Sequence, residues 1–284
     1  MKVDPRWYVL SNNSALLLLG IALWGLQRDW VQVAFCLAMG SSTELLAAFA
    51  FKKHARVRVA DRLLSAAVAS ISTVVLVRAG EWWFYGLLVS LAIVSKYVLV
   101  DAEGRHVFNP TNFAIVFSLA FLPDHLFVRP DQFSFDQSTF YVVLPMVGGF
   151  GALAMAGANR WRGTLAYYLT ILCAGVPLGA ALGLKPLWVL APEMNISTLI
   201  FAFLMMTDPR TTPTPPGEQW LFGGAVALLH LALRYKQVPY SPFVSLFIIT
   251  GFWSLFRTAM TAARSRTWAP ATAEIITAPP DANP

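Results

Sequence analysis

Runs of about twenty apolar residues, almost free of charge, recur along this chain from the first quarter to the last. Such runs leave few folds open. A bilayer offers no water to backbone N–H and C=O groups, so only helices or closed barrels can cross it. The strict apolar–polar alternation of a barrel strand is absent, and the Leu, Ala, Val and Phe content suits helices. Composition agrees: 57% of the 284 residues are hydrophobic and 13% are charged, against about 25% charged in a soluble domain. The mean hydropathy is +0.58, so the chain has too little polar surface to cover itself in water. The expected fold class is an all-α polytopic membrane protein.

Taken in order, the runs place about ten transmembrane helices. They fall at 13–26, 29–51, 61–78, 82–100 and 109–122, then at 140–158, 164–183, 190–206, 219–235 and 241–260. The first, fifth and eighth are shorter than the ~20 residues a straight span needs, which predicts tilted, re-entrant or broken helices there. The resulting organisation is a cytoplasmic N-terminus (1–12), a membrane half (13–122), an outer loop (123–139), a second membrane half (140–260) and a polar tail (261–284). That tail is rich in Ala, Pro and Thr and is expected to be disordered or held by a partner. No cleavable signal peptide is expected, because no basic segment leads into a short apolar core.

Lys and Arg set the orientation. With the N-terminus inside, fifteen of them face the cytoplasm: Lys2, Arg6, Lys52, Lys53, Arg56, Arg58, Arg62, Lys96, Arg105, Arg160, Arg162, Arg210, Arg257, Arg264 and Arg266. Six face outward: Arg28, Arg78, Arg129, Lys185, Arg234 and Lys236. The outer loop is acidic, with Asp124, Asp131 and Asp136. This bias requires an even number of spans, ten or eight plus two re-entrant segments, with both termini cytoplasmic. The net charge of +6 then belongs to the inner membrane face, and no nucleic-acid partner is needed to explain it.

Metal and thiol chemistry find little support. Cys36 and Cys173 lie in separate apolar runs without a CxxC partner, so two small buried thiols are expected, and the chain alone cannot ligate a four-thiolate cluster. His54, His106, His125 and His230 are scattered, and only His230 falls within a span. A catalytic constellation is likewise not evident.

Two segments exceed what a connecting loop requires. In SKYVLVDAEGRHVFNPTNF (95–113), Lys96 ends an apolar run and Asn109-Pro110 opens the next helix. Asn is a good N-cap, and Pro suits the first helical turn because its missing N–H would be unpaired there. The same helix start also offers free N–H groups to an anionic or carbonyl-rich ligand. In MMTDPRTTPTPPGEQWLFG (205–223), the thirteen residues from Thr207 to Gln219 hold four prolines and four threonines. Fixed φ angles and hydroxyls at that density exceed the few residues most turns use and fit a preorganised polar loop.

Pro110 and Pro209 each follow Asn or Asp and stand 99 residues apart. Five spans on either side of the acidic loop would give two halves inverted in topology, a pattern that encloses a site between broken helices. Intramembrane charge is sparse. Glu44 lies inside the second span, where a carboxylate is costly and needs a partner; Lys96 is the candidate. Glu193, with Asn195, Ser197 and Thr198, reads as a capping cluster at the eighth span.

Together these two segments, with TELLAAFAFKK around Glu44, resemble the signature regions of the NqrB/RnfD family. Those proteins are membrane subunits of the sodium-pumping NADH:quinone reductase and of the Rnf ferredoxin:NAD complex. The resemblance runs over most of residues 30–260. It is also similar to stand-alone relatives of the UnbU type, grouped with enediyne biosynthesis, which keep SKY…GRH.FNP.NF. The resemblance implies a ten-helix fold of two inverted five-helix repeats with broken helices, located in a bacterial inner membrane. It further implies flavin-based electron transfer beside other redox subunits, without independent catalysis.

Family members esterify FMN to a Thr in a Ser-Gly-Ala-Thr-type motif of the outer loop. Here that stretch reads DQFSFDQSTFYVV, which offers Thr139 but lacks the Gly-Ala pair. A non-covalent flavin (FMN or riboflavin) or a quinone is therefore the expected cofactor. Carried onto this chain, its binding residues would be Lys96, Arg105, Asn109, Thr207, Asp208, Thr211 and Thr212, with the ring among apolar and aromatic side chains. The competing expectations are a non-redox scaffold subunit of a larger membrane complex, or a small-solute transporter or channel.

Overall fold

The computed structural model describes residues 4–23, 26, 28–51, 58–128 and 137–267. Its first half contains α1 (Pro5–Leu23), α2 (Trp30–Phe51), α3 (Val59–Leu76), α4 (Trp82–Val98) and α5 (Pro110–Phe121). The second half contains α6 (Gln137–Ala158), α7 (Trp161–Ala181), α8 (Pro186–Met194), α9 (Ile196–Met205), α10 (Pro216–Tyr235) and α11 (Ser241–Thr267). Each expected span falls on a helix, and the eighth is broken: α8 and α9 meet at an angle of 64°.

Among the described residues, five helices are long and apolar enough to cross a membrane: α2, α3, α6, α7 and α11. The count rises to six if α8 and α9 form one span. The others fall short for visible reasons. α4 and α5 are apolar but have 17 and 12 residues. α1 carries Asn12 and Asn13, and α10 carries Glu218, Gln219, His230 and Arg234. The outer surface is strongly apolar, with Phe49 83%, Leu187 73% and Trp188 70% exposed. A soluble monomer rarely shows so much, whereas lipid covers it at no cost.

Local chemistry explains the helix ends. Asn109 caps α5, its Oδ1 accepting from Asn112 N at 3.1 Å, with Pro110 in the first turn. Asn195 caps α9 in the same manner, accepting from Ser197 N at 2.9 Å. Arg28, 8% exposed, donates to the carbonyls of Val74 (3.1 Å) and Val77 (2.8 Å) and so closes the end of α3. A strand pair unexpected from the sequence follows: β1 (Val77–Ala79) runs antiparallel to β2 (Leu126–Val128), Val77 opposite Val128. The third expected span thus ends two residues early, and part of the acidic loop is a strand.

Three helix contacts recur in both halves, while the extensive α2–α3 contact of the first has only a slight counterpart between α7 and α9. In the first, α1 packs on α3, α2 on α4, and α4 on α5; in the second, α6 packs on α9, α7 on α10, and α10 on α11. The halves meet where α1 lies on α6 and α5 on α11. Small residues permit the closest approaches. A Cβ on Gly223 of α10 would sit 2.1 Å from the Gly163 carbonyl oxygen of α7. Both cysteines are free thiols; Cys36 is buried as expected, but Cys173 is exposed on α7 rather than buried.

Candidate functional site

A cavity of 390 Å³ lies where the halves face each other, lined by α1, α3, the start of α5, α6, α9 and the loop after α9. Its size is within the range of about 300–1,000 Å³ that small-molecule sites occupy. One end is polar and ionic: Asp4, Arg6, Lys96, His106, Asp208 and Arg210. The rest is largely aliphatic, with Val9, Val68, Leu76, Ile200, Leu204 and Met205. From α3 a single stripe, Ser65, Val68, Ala69, Ser72 and Leu76, lines the wall. At 1.5 Å per residue that stripe is about 16 Å long, so the cavity is elongated. Partway along, Asn13 Nδ2 donates to Ser72 Oγ at 2.8 Å, placing one polar pair in the otherwise apolar part.

The two segments singled out in the sequence meet at the ionic end. Asn109 Nδ2 donates to Asp208 Oδ2 at 3.3 Å. Beside it, Arg210 NH1 lies 3.5 Å from His106 Nε2. Asp208 is held from its own loop as well, Oδ1 accepting from Arg210 N at 3.0 Å. Burial raises the Asp208 carboxyl above its ordinary range, opposed by the hydrogen bonds from Arg210 N and Asn109 and by the Arg210 charge. Asp4 is shifted the other way, lowered chiefly by its hydrogen bonds with Arg6 (NH2 to Oδ2, 2.6 Å).

Charge at this end is largely matched within the protein. Arg6 pairs with Asp4 and approaches Asp61 at 4.0 Å. Lys96, 6% exposed, pairs with Glu44, 4% exposed, as the sequence suggested, and also donates to Ser65 Oγ at 3.0 Å. The second Glu44 oxygen accepts from Tyr97 OH at 2.7 Å.

Of the residues expected to bind a cofactor, Lys96, Asn109, Thr207 and Asp208 line the cavity. Arg105 does not: it lies in the 101–105 turn, paired with Glu103 and 3.5 Å from Asp101. Thr211 and Thr212 stand behind the site, their hydroxyls donating to the Asp208 carbonyl at 3.4 and 2.7 Å. They shape the loop rather than face the cavity. Thr139 falls in the first turn of α6, and its side chain lies outside the described residues, as does the loop 129–136. Among the described residues the expected aromatic lining is not found: none of those around the cavity is Phe, Tyr or Trp.

Sequence reasoning missed Asp4, Arg6, His106 and Arg210. The last two stand inside the quoted segments, as GRH and DPR, and could have been found there. It also misread Glu193. That residue is no cap: Oε1 meets His230 Nε2 at 2.9 Å and Arg234 NH1 at 3.0 Å, while Oε2 accepts from Tyr167 OH at 2.9 Å. This buried cluster ties the α8–α9 break to α7 and α10. Among the described residues no group of three or more His, Cys, Asp or Glu is placed to hold a metal ion.

Neither the protein-family models nor the curated proteins include a match for this chain.

Proposed function

We propose that this chain is a multi-span electron-transfer protein of the RnfD/NqrB type, holding a flavin or quinone ring in the cavity between its halves. One observation carries the reading: the two segments that bear the family resemblance, 95–113 and 205–223, meet through Asn109 and Asp208 at the rim of that cavity. The ten-helix arrangement as two inverted repeats belongs to the same proposal, supported by the three helix contacts that the halves share. So do a bacterial inner-membrane location and cytoplasmic termini, which rest on the Lys and Arg bias.

The residues present suit a ring better than a phosphate. Arg6 and Lys96 already face carboxylates, so the ionic end has little positive charge left for a dianion. Lys96 Nζ and the Arg210 guanidinium remain placed to donate to ring carbonyls. Both Asn109 amide atoms are engaged, Oδ1 in the α5 cap and Nδ2 on Asp208, which leaves one N–H. The aliphatic walls exclude water and orient the ring. The ring itself carries the electrons, and the protein supplies position and field.

The test is an absorption spectrum of detergent-purified protein before and after acid denaturation. A flavin or quinone band released by acid supports the reading, and a flavin band kept on the chain moves the attachment to Thr139. A folded, colourless preparation that binds neither added ring overturns it. A second reading, passage of a small polar solute, is favoured by the Asn13–Ser72 pair inside the cavity. It requires solute flux into liposomes that is independent of redox state.

A further inference from the structure

Beside the main cavity lies an annex of 60 Å³ whose nine lining residues each carry a hydroxyl, an imidazole or a charge. Five of them, Arg6, Ser65, Lys96, His106 and Arg210, also line the main cavity. Glu44 and Tyr97 line the annex alone. Lys96 therefore stands in the wall between an all-polar space and a largely aliphatic one. The annex is large and polar enough to hold water.

A buried ion pair is a poor way to stabilise a helix bundle. Desolvation offsets much of the attraction, and an apolar pair of similar volume serves as well or better. Placement in the wall between two cavities gives the pair another use. Reduction of a quinone or flavin ring consumes protons with the electrons, and aliphatic walls supply none.

We propose that Lys96 and Glu44 form the proton-transfer couple of the main cavity, fed through the annex. The inference rests on the ring-binding reading above. With a bound quinone, two one-electron reductants and two protons would convert both ring C=O groups to C–OH, each reductant losing one electron. Lys96 Nζ would give up one proton towards the cavity and become a neutral amine beside the Glu44 carboxylate. A proton from bulk solvent, relayed by water in the annex and by Glu44, would restore it, and a second cycle would supply the second proton.

The charged neighbours of Lys96 come from every element around it. Asp4 and Arg6 face it from α1, Glu44 from α2, and Asp61 and Arg62 from α3. Tyr97 lies on its own helix, His106 on the turn after α4, and Asp208 and Arg210 on the loop after α9. Four carboxylates thus face three fixed cations and Lys96 itself, so loss of a proton from Lys96 changes the local charge by one from near balance.

The test uses the full-length protein in detergent, loaded with a short-tailed benzoquinone. Pulse radiolysis delivers electrons without protons, an indicator dye counts proton uptake, and redox-difference infrared spectra follow carboxyl bands. The expected wild-type result is rapid uptake with an infrared change that vanishes in the electroneutral double variant Glu44→Gln/Lys96→Met. That variant loses the Lys96 donor and should bind the quinone more weakly; compared at saturating quinone, it should take up protons about a hundredfold more slowly. Tyr97→Phe, which keeps both charges, guards against misfolding: it should bind as wild type does and shift the Glu44 band. Uptake at the wild-type rate in the double variant, or no Glu44 band in the wild type, overturns the couple alone. A wild-type protein that binds neither quinone nor flavin overturns the ring reading with it.

Discussion

Asn109 and Asp208, 99 positions apart, share a hydrogen bond of 3.3 Å, while the other end of the Asn109 amide caps α5. One side chain thus does two jobs, and substitutions separate them. Asn109→Ala loses both, about 1 kcal/mol for the cap and about 1 kcal/mol for the bridge. Asn109→Ser keeps a capping oxygen and loses only the bridge. Thermal unfolding in detergent should rank wild type above Ser above Ala. If the Ser variant is no better than Ala, the cap is not contributing.

Gly223 tests the packing of the second half. A methyl group there meets the Gly163 carbonyl 2.1 Å away, backbone that cannot swing aside. Gly223→Ala should force α7 and α10 apart at a cost of about 1–3 kcal/mol or more. Gly148→Ala, whose Cβ would meet nothing within 4 Å, is the matched control. Equal thermal stability of the two variants would show that α7 and α10 do not cross so closely.

The Glu44–Lys96 pair predicts strong coupling. Glu44→Gln alone leaves a buried ammonium and should cost about 3–5 kcal/mol. Glu44→Gln with Lys96→Met should recover most of that loss. Heating followed by size-exclusion chromatography reads the difference, and additive losses would mean that the residues do not interact.

Acid should act in opposite directions on the two rim carboxyls. Asp208 is raised by burial, so its contribution is fully present below the unfolded value of 3.8 and is lost as pH rises through the folded value. Asp4 is lowered by Arg6, so its contribution is present above 3.8 and is lost as pH falls through the folded value. Relative to wild type, Asp208→Asn should therefore gain stability with rising pH, and Asp4→Asn should gain it with falling pH. Melting curves at several pH values give the slopes, and matching slopes would remove the assignment.

Apolar runs made the helices legible, because a run of that length has no other use in the chain. Asn109-Pro110 announced the start of α5, and the isolation of Glu44 in an apolar helix pointed to Lys96. The sequence was silent about strength and direction. Glu193 sits next to capping residues and was read with them, yet its partners Tyr167, His230 and Arg234 come from helices 26 to 41 residues away. Thr211 and Thr212 have the right chemistry, but a tight turn aims their hydroxyls at the Asp208 carbonyl. The β1–β2 ribbon joins two loops too short and too far apart in sequence to announce each other.

The last stretch of α9, Phe201–Met205, is wound as a π turn, with Met206 N donating to Phe201 O at 2.9 Å. Thr207 and Asp208 follow at once. A π turn takes up one extra residue without lengthening the helix much, so the chain leaves it at nearly the phase of an ordinary helix one residue shorter. Deleting one residue there would restore the ordinary winding and leave Asp208 near Asn109. One more residue inserted into α9, with no second turn to absorb it, would rotate everything downstream by about 100° and swing Asp208 off Asn109 although no residue of the rim had changed. The surplus residue is slack that has already been used, and the rim should tolerate its loss far better than a further gain.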